Sequence, residues 1–268
     1  MTRANDFDTV AARLRCLSYR RRILGVAHAV QAAHVAPAFS CLEMVDAIYY
    51  GLKGEHDHFL ISKGHGVLAQ YAVLEGLGIL SPEELDRYDT LDGRLAAHPD
   101  RGVPGIEAST GSLGHGMALA AGMALAERLQ GTMGSIHVLL SDGEFQEGST
   151  WEAMMMAANL KLGNLVAYLD LNDFQGLGRT SQTHPAFYPV LDKVRAFGWE
   201  AQEANGHDAG MVVSKVRDRQ GGKPFLLVGK TVKGRGVSFM ENQPIWHYRS
   251  PNDQEYRQAL DELHEVSS

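Results

Sequence analysis

The feature that most constrains the fold is a pair of short apolar runs separated by a helical pattern. The first run covers residues 136–140 and the second covers residues 165–171. Neither run alternates with polar residues, which is typical of strands buried on both faces. Residues 149–161 between them predict a helix. A strand, a helix and a second strand in this order predict a parallel βαβ unit.

The rest of the chain continues this alternation. Further strands are predicted at residues 58–61, 199–204 and 225–228, and helices at 6–31, 40–51, from 82 onwards, 115–130, 185–197, 208–219 and 252–265. Ser40 and Glu43 have the spacing of a capping box at the start of the second helix. We therefore predict one α/β domain over residues 1–268, with a parallel central sheet and helices on both faces. The irregular stretch 89–114 is long enough to suggest a functional loop.

Composition excludes several classes of function. The 25 basic and 32 acidic residues give a net charge of −7, which offers no general attraction to nucleic acid or an anionic membrane. We interpret the three arginines at 20–22 as a solvated helix face. The two cysteines, Cys16 and Cys41, form no disulfide framework and favour a reducing compartment. No apolar run approaches the roughly 18 residues that span a membrane, and no leader pattern opens the chain, so a cytoplasmic protein is predicted.

Polar residues follow both buried strands at the point where each ends. Asp142 comes two residues after the first run, and Asn172 directly follows the second. Ligands of parallel α/β sheets bind beyond the carboxyl ends of the strands. Mg²⁺ prefers oxygen ligands and shares them with phosphate groups, and Gly143 would allow backbone N–H groups to approach such phosphates. The pair therefore predicts a metal-diphosphate site, although each motif alone is equally compatible with an ordinary turn.

These motifs also carry a resemblance. Asp-Gly-Glu followed by Asn, 30 residues after the Asp, resembles the thiamine-diphosphate motif. The stretch EFQEGSTWEAMMMAANLKLGNLVAYLD resembles transketolases rather than the keto-acid dehydrogenases or decarboxylases that share the cofactor. Ordered matches along nearly the whole chain follow the same family: HVAPAFSCLEMVDAIYY, HFLISKGHG, AAHPDRGVPGIEASTGSLGHGM and TVKGRGVSFMENQPIWHYRSP. The resemblance implies the thiamine-diphosphate-binding fold.

By this resemblance, each site residue has an expected role. Asp142, Asn172 and the carbonyl of Phe174 would hold Mg²⁺, or Ca²⁺ or Mn²⁺ in its place. Catalytic roles fall to His34, His98, His247 and Glu147, with histidine suited to proton transfer because its ordinary pKa lies near neutral pH. The residues expected at the cofactor are His65, Gly111, Ser112, Leu113, Gly114, Asp142, Gly143, Glu144, Asn172 and His247.

The sequence departs from the family at three places. Ser141 replaces the usual first glycine of the metal motif, Val-Ala-Pro-Ala follows His34, and Tyr248 follows His247 where glycine is common. A serine keeps its N–H and adds a hydroxyl donor, so we still expect the cofactor to bind. The other two departures lie in the expected substrate funnel and suggest a specialised ketose.

The resemblance implies the N-terminal subunit of a split transketolase, a transferase active only with its partner. It would move a two-carbon ketol unit from a ketose to an aldose, using small sugars or sugar phosphates. The partner would be a C-terminal subunit carrying the pyrimidine-binding domain, in a heterotetramer of two copies of each. Two alternatives stay open: a component of a thiamine-diphosphate enzyme with a keto-acid donor, and a non-catalytic cofactor-binding homologue.

Overall fold

The computed structural model describes residues 7–265 except 33, 133 and 177. Its strands are β1 (His58–Ile61), β2 (Ile136–Ser141), β3 (Leu165–Leu171), β4 (Phe174–Gln175), β5 (Gly178–Arg179), β6 (Glu200–Asn205) and β7 (Phe225–Lys230). Its α-helices are α1 (Thr9–Val30), α2 (Val35–Ala47), α3 (Val67–Gly76), α4 (Pro82–Asp86), α5 (Gly116–Gln130), α6 (Gly148–Asn159), α7 (Thr180–Thr183), α8 (Val190–Ala196), α9 (Ala209–Arg217) and α10 (Asp253–Glu265). Within these described residues, no helix combines the length and apolar character needed to cross a membrane.

Five strands form one parallel sheet in the order β1-β2-β3-β7-β6. Strands β4 and β5 form a separate two-stranded ribbon. The order advances from β1 to β3 and then reverses, because β6 occupies the edge and β7 returns beside β3. Ligand crevices of open α/β sheets lie at such a reversal, beyond the carboxyl ends of the strands. The predicted parallel central sheet is confirmed.

Helices cover both faces of this sheet, as predicted. Helices α1, α2, α3 and α9 share one core with the sheet, and α5, α6 and α8 share the other. Alternate residues of each strand serve opposite cores, since successive side chains of a strand point to opposite faces. In β2, Leu139 belongs to the first core, whereas Val138 and Leu140 belong to the second. Because both faces of the central strands are buried, these strands appear in the sequence as continuous apolar runs.

The predicted start of the second helix is wrong. Helix α2 begins at Val35, so Ser40 lies inside it and is fully buried. Its hydroxyl donates to the Asp170 carboxylate at 2.8 Å instead of capping the helix. All residues of α2 are buried, so the segment has no polar face that would mark its first turn in the sequence.

Burial also corrects two interpretations of surface and core. The arginines at 20–22 do not form a solvated face, because Arg20 is buried in an ion pair with Glu43 and Arg22 pairs with Glu75. In α6, Met154 is buried as expected of a core residue. The next two side chains, Met155 and Met156, are 51% and 57% exposed.

Candidate active site

Segments that follow four parallel strands approach one another at the C-terminal edge of the sheet. They begin at Ser62 after β1, Asp142 after β2, Asn172 after β3 and Thr231 after β7. The strand register places Ser141 beside Asp170, so the ends of β2 and β3 are adjacent. Residues from all four of these segments line a cavity of ≈ 580 Å³. The edge therefore brings together, from distant parts of the sequence, the motifs that the resemblance singled out.

The predicted metal ligands lie at the ends of β2 and β3. Asp142 and Asn172 are buried beside Gly143 and Phe174, which line the cavity. The Asp142 carboxylate accepts hydrogen bonds from the Gly143 N–H at 3.0 Å and the Thr180 hydroxyl at 3.2 Å. The Asn172 amide oxygen accepts the Phe174 N–H at 3.0 Å. A carboxylate, an amide oxygen and a nearby backbone carbonyl form the hard donor set that Mg²⁺ prefers.

The electrostatics around Asp142 and Asn172 favour a bound cation. Burial and the nearby negative charge of Asp170 raise the pKa of Asp142 to about 7. A bound divalent cation would favour the ionised carboxylate, because opposite charge lowers the pKa of an acid. Within the described residues, no group of three or more His, Cys, Asp or Glu side chains could form a metal site of its own. The further ligands of a metal at Asp142 would be amide or carbonyl oxygens, water or a bound phosphate.

A buried ion pair lies next to these predicted metal ligands. Asp170, near the end of β3, accepts the Lys63 ammonium at 2.5 Å and the Asn172 side-chain amide at 3.1 Å. The nearby Ser40 and Thr231 hydroxyls also bond to its carboxylate. Sequence reasoning missed Asp170 and Lys63. A charged residue inside the apolar run of β3 was the available signal, because a buried charge requires partners.

Four histidines cluster around the cavity with His34 at their centre. The His34 ring lies 5.9 Å from that of His65, 5.8 Å from that of His98 and 5.4 Å from that of His247. All four rings line the cavity, as does Tyr248. His34 has φ = 71°, in the left-handed region that a non-glycine residue seldom adopts. Such a conformation holds only where the surrounding structure enforces it, and it is common at functional sites.

Three of these histidines are neutral at physiological pH. Burial, followed by the charge of neighbouring His98, lowers the pKa of His34 to about 4. Burial and Lys233 lower the pKa of His247 to about 3. Burial and Lys63 lower the pKa of His65 well below its ordinary value. The prediction of an ordinary histidine pKa is therefore wrong for His34 and His247, and all three buried rings act here as neutral hydrogen-bonding groups. Nδ1 of His34 is buried without a protein partner.

The turn from Gly111 to Gly114 is built on close backbone approaches. Gly111 has φ = 133°, and a Cβ there would lie 2.6 Å from the His98 ring. Only glycine fits such a position. Gly111 and Leu113 line the cavity, whereas Ser112 is exposed and Gly114 is buried.

The two predicted glutamates are placed differently. Glu147 is exposed and lines the cavity. Glu144 is fully buried, and one of its carboxylate oxygens accepts both the Ser62 hydroxyl and the Gly114 N–H. The structure thus places Glu144 between three loops, where it joins the segments after β1 and β2 to the glycine turn.

Comparison with known proteins agrees with this geometry. Residues 51–263 match the family profile described as "Transketolase, thiamine diphosphate binding domain". The chain is 36% identical over 257 residues to one of the subunits of the "Apulose-4-phosphate transketolase" of Phocaeicola vulgatus, covering 92% of this chain and 91% of that protein. It is 37% identical over 242 residues to "6-deoxy-6-sulfo-D-fructose transketolase subunit SqwG" of a Clostridium species, covering 86% and 88%.

Solved structures share the fold. The crystal structure of transketolase from Campylobacter jejuni superposes with a TM-score of 0.86 at 24% identity and covers 94% of this chain. The chain spans 42% of the length of that protein.

Proposed function

The chain belongs to the transketolase family, and from that premise we propose that it binds Mg²⁺ and thiamine diphosphate and, with a partner subunit, transfers a two-carbon ketol unit from a ketose to an aldose. The observation that carries this proposal is the convergence of Asp142, Asn172 and the four histidines at one edge of the sheet. A protein that kept only the fold would not need this set together.

The described residues fit the metal and the diphosphate. Asp142, Asn172 and the carbonyl of Phe174 would hold Mg²⁺, which offsets the charge of the diphosphate. His65, His247 and the N–H of Gly143 would donate to its oxygens. The Lys63 ammonium, fixed by Asp170, adds positive potential nearby. The turn containing Gly111, Ser112, Leu113 and Gly114 would support the rings of the cofactor through its main chain.

Substrate chemistry follows from the residues that remain open to the cavity. When bound, thiamine diphosphate supplies the nucleophile for the ketose carbonyl and the electron sink for C–C cleavage. His34, His98 and His247 would form hydrogen bonds to substrate hydroxyls and to the oxygen that develops negative charge in the reaction. The neutral rings of His34 and His247 can both donate and accept, which suits a substrate with several hydroxyl groups. The histidines also narrow the space left for water around the reacting carbonyl.

A partner subunit completes the proposed enzyme. Two of the relatives similar to this chain are named as single subunits of a transketolase, and this chain covers about nine tenths of each. We propose that the partner carries the pyrimidine-binding domain and assembles with this chain as a heterotetramer of two copies of each. We propose the exposed Glu147 at the cavity and the exposed Met155 and Met156 of α6 as contacts for this partner. Because both cysteines are free and buried, we propose a cytoplasmic location.

The substrate is proposed to be a specialised sugar or sugar phosphate. The names of two relatives specify apulose 4-phosphate and a sulfonated fructose. Tyr248 is 57% exposed, lies against His247 with a ring separation of 4.4 Å and lines the cavity where the family usually has glycine. Its bulk would restrict the ketoses that reach the histidines.

The test is a transfer assay on the reconstituted complex. The chain would be co-expressed with a C-terminal transketolase subunit, with the product of the adjacent reading frame as the first candidate, and supplied with Mg²⁺, thiamine diphosphate, an aldose and a panel of ketoses. We expect two-carbon transfer by the complex and none by the partner alone. Keto-acid donors in the same panel test the main alternative. Turnover with a keto acid and with no ketose would replace the proposal by a keto-acid transferase or decarboxylase.

A further inference from the structure

A buried cluster of three ionisable side chains lies outside the cavity of the candidate site. Arg20 of α1 pairs with Glu43 of α2 at 2.5 Å, and Glu43 also contacts Nδ1 of His207 at 3.0 Å. His207 lies in the turn between β6 and α9. All three side chains are about nine tenths buried. Sequence reasoning assigned none of them a role at the site.

The hydrogen bonds fix the protonation of His207. The backbone N–H of Val232 donates to Nε2 of His207 at 2.8 Å, so Nε2 carries no hydrogen. Nδ1 must then carry the ring hydrogen and donate to the Glu43 carboxylate. Although burial opposes ionisation of Glu43, Arg20 and His207 lower its pKa to about 2. With Nε2 as acceptor and Nδ1 as donor, both nitrogens of the His207 ring are used.

The cluster forms hydrogen bonds to one backbone segment at two points. Besides the bond from His207 to Val232, the Arg20 guanidinium donates to the carbonyl of Arg235 at 3.0 Å. These two contacts lie on either side of Lys233, one residue before it and two after it. The segment leads from β7 towards the cavity, and Thr231 at its start bonds to Asp170. Lys233 is thus held on a backbone that is fixed on both sides.

Lys233 in turn determines how His247 presents its ring. The Lys233 ammonium lies 2.6 Å from Nδ1 of His247. An ammonium group has no acceptor, so Nδ1 of His247 must accept and Nε2 must carry the hydrogen. The ring lines the cavity, so the remaining N–H is available to an oxygen of a bound diphosphate or sugar. A misplaced Lys233 would release the other tautomer, which offers no donor at Nε2.

We propose that Arg20, Glu43 and His207 form a positioning cluster that holds Lys233 against His247 and so imposes the Nε2–H tautomer of His247 in the site. The inference rests on the proposed function for its catalytic consequence. The tautomer itself depends only on contacts within this chain. None of the three cluster residues touches the reacting atoms; they act through Val232, Arg235 and Lys233.

Two substitutions of His207 separate positioning from simple packing. In His207→Gln the side-chain oxygen lies where Nε2 lay and accepts from Val232. In His207→Asn the amide lies where Nδ1 lay, so the bond to Glu43 is retained and the bond to Val232 is lost. His28→Asn is the matched control, because His28 ties α1 to Asp253 of α10, away from the site. Lys233→Met removes the ammonium and leaves the cluster intact.

The measurement is ¹⁵N NMR of the His247 ring, assigned by loss of its signals in His247→Ala. The wild type, His207→Gln and His28→Asn should show a protonated Nε2 and an unprotonated Nδ1. His207→Asn and Lys233→Met should show a mixture of tautomers. In the reconstituted complex, kcat of His207→Asn should fall at least about tenfold, as for loss of an oriented hydrogen-bond donor, with KM changed less. His207→Gln should restore most of that loss.

Three results would overturn the proposal. The first is the wild-type tautomer in either His207→Asn or Lys233→Met. The second is equal behaviour of the Asn and Gln variants, which would show that His207 acts by packing. The third is the opposite tautomer in the wild type. If His207→Asn fails to fold, Lys233→Met still decides the tautomer question. Absence of transfer activity in the complex would contradict the proposed function and leave the NMR result standing.

Discussion

Burial decides the chemistry of single residues at this site more than residue type does. His34 and His247 would titrate near neutral pH in water, yet burial and neighbouring cations lower their pKa values to about 4 and about 3. The same burial raises the pKa of Asp142 to about 7. Mg²⁺ and diphosphate would therefore bind beside neutral histidine rings. The cation would favour the ionised form of the Asp142 carboxylate.

The positions of residues at strand ends could be predicted from the sequence. Contacts between residues far apart in the sequence could not. Asp142 and Asn172 follow apolar runs, so their position at the sheet edge can be deduced from the sequence. Lys63 and Asp170 are separated by 107 residues, and His207 and Glu43 by 164. Each of these residues has an ordinary local setting. Only the folded structure brings them together.

The first prediction concerns Tyr248. Replacing it by glycine should raise kcat/KM for ketose phosphates such as xylulose 5-phosphate and fructose 6-phosphate by about tenfold relative to the preferred ketose. Removing a side chain from a substrate pocket typically changes discrimination by about 1–3 kcal/mol. Steady-state kinetics of the complex on each ketose measure the ratio. Ile245→Gly, with the same 57% exposure in the same segment, is the control. An unchanged ratio in Tyr248→Gly would show that the ring does not select substrate.

The second prediction concerns His137, buried in β2 and bonded through Nδ1 to the Tyr168 hydroxyl at 2.8 Å. Burial lowers its pKa to about 4. Below pH 6.5 the unfolded chain protonates this ring and the folded chain does not, so stability falls as the pH falls. At pH 5 this single group should cost about 2 kcal/mol of unfolding free energy.

Chemical denaturation at pH 7.5 and pH 5 tests this expectation. Wild type should lose about 2 kcal/mol more than His137→Gln between the two pH values, because the variant has no ring to protonate. Comparing the two proteins cancels the contributions of the other titrating groups. Equal losses would mean that His137 is protonated in the folded protein as readily as in the unfolded one.

At the scale of elements, strands were more predictable than helices. The runs that form β2 and β3 are apolar because both faces are covered, and their ends are sharp. Helices α2 and α3 are almost entirely buried, so they lack the polar face that gives a helix its period in the sequence. Sequence reasoning consequently began α2 too late and passed over α3. By contrast, α4 begins at the predicted proline and has a capping box from Ser81 to Glu84.

The third prediction concerns Glu144, whose carboxylate joins three loops. Glu144→Ala would leave the Gly114 N–H and the Ser62 hydroxyl without their acceptor in a buried setting, at a cost of about 1–3 kcal/mol. It should also weaken cofactor binding, because the turn from Gly111 to Gly114 loses its hydrogen bond to the segment that follows β2. Glu144→Gln keeps an acceptor oxygen and should retain most of both properties.

Denaturation curves and cofactor titrations on both Glu144 variants check this role. Glu55→Ala, at an exposed position, is the control for loss of a surface glutamate. A stable Glu144→Ala variant that binds cofactor like the wild type would show that the three loops hold their positions without this carboxylate.

For the whole molecule, the fold class could be deduced and the strand order could not. Alternating strands and helices predict a parallel sheet, but the order β1-β2-β3-β7-β6 depends on contacts between distant segments. The reversal places β7 beside β3, so the segment that leads from β7 to Lys233 and His247 starts next to Asn172. These residues belong to two motifs that are far apart in the sequence. That the two motifs meet in the fold can be deduced only from the strand order or from the family resemblance.

The central claim is that this edge of the sheet holds thiamine diphosphate through a metal bound at Asp142. Calorimetric titration of the complex with thiamine diphosphate tests it most directly, in Mg²⁺ and again in EDTA. Asp142→Ala is compared with Asp218→Ala, a matched change at the end of α9. We predict binding by the wild type and Asp218→Ala in Mg²⁺ only, and no binding by Asp142→Ala because the diphosphate charge is left without its cation. Equal affinity of Asp142→Ala and wild type, or binding unaffected by EDTA, would contradict the account.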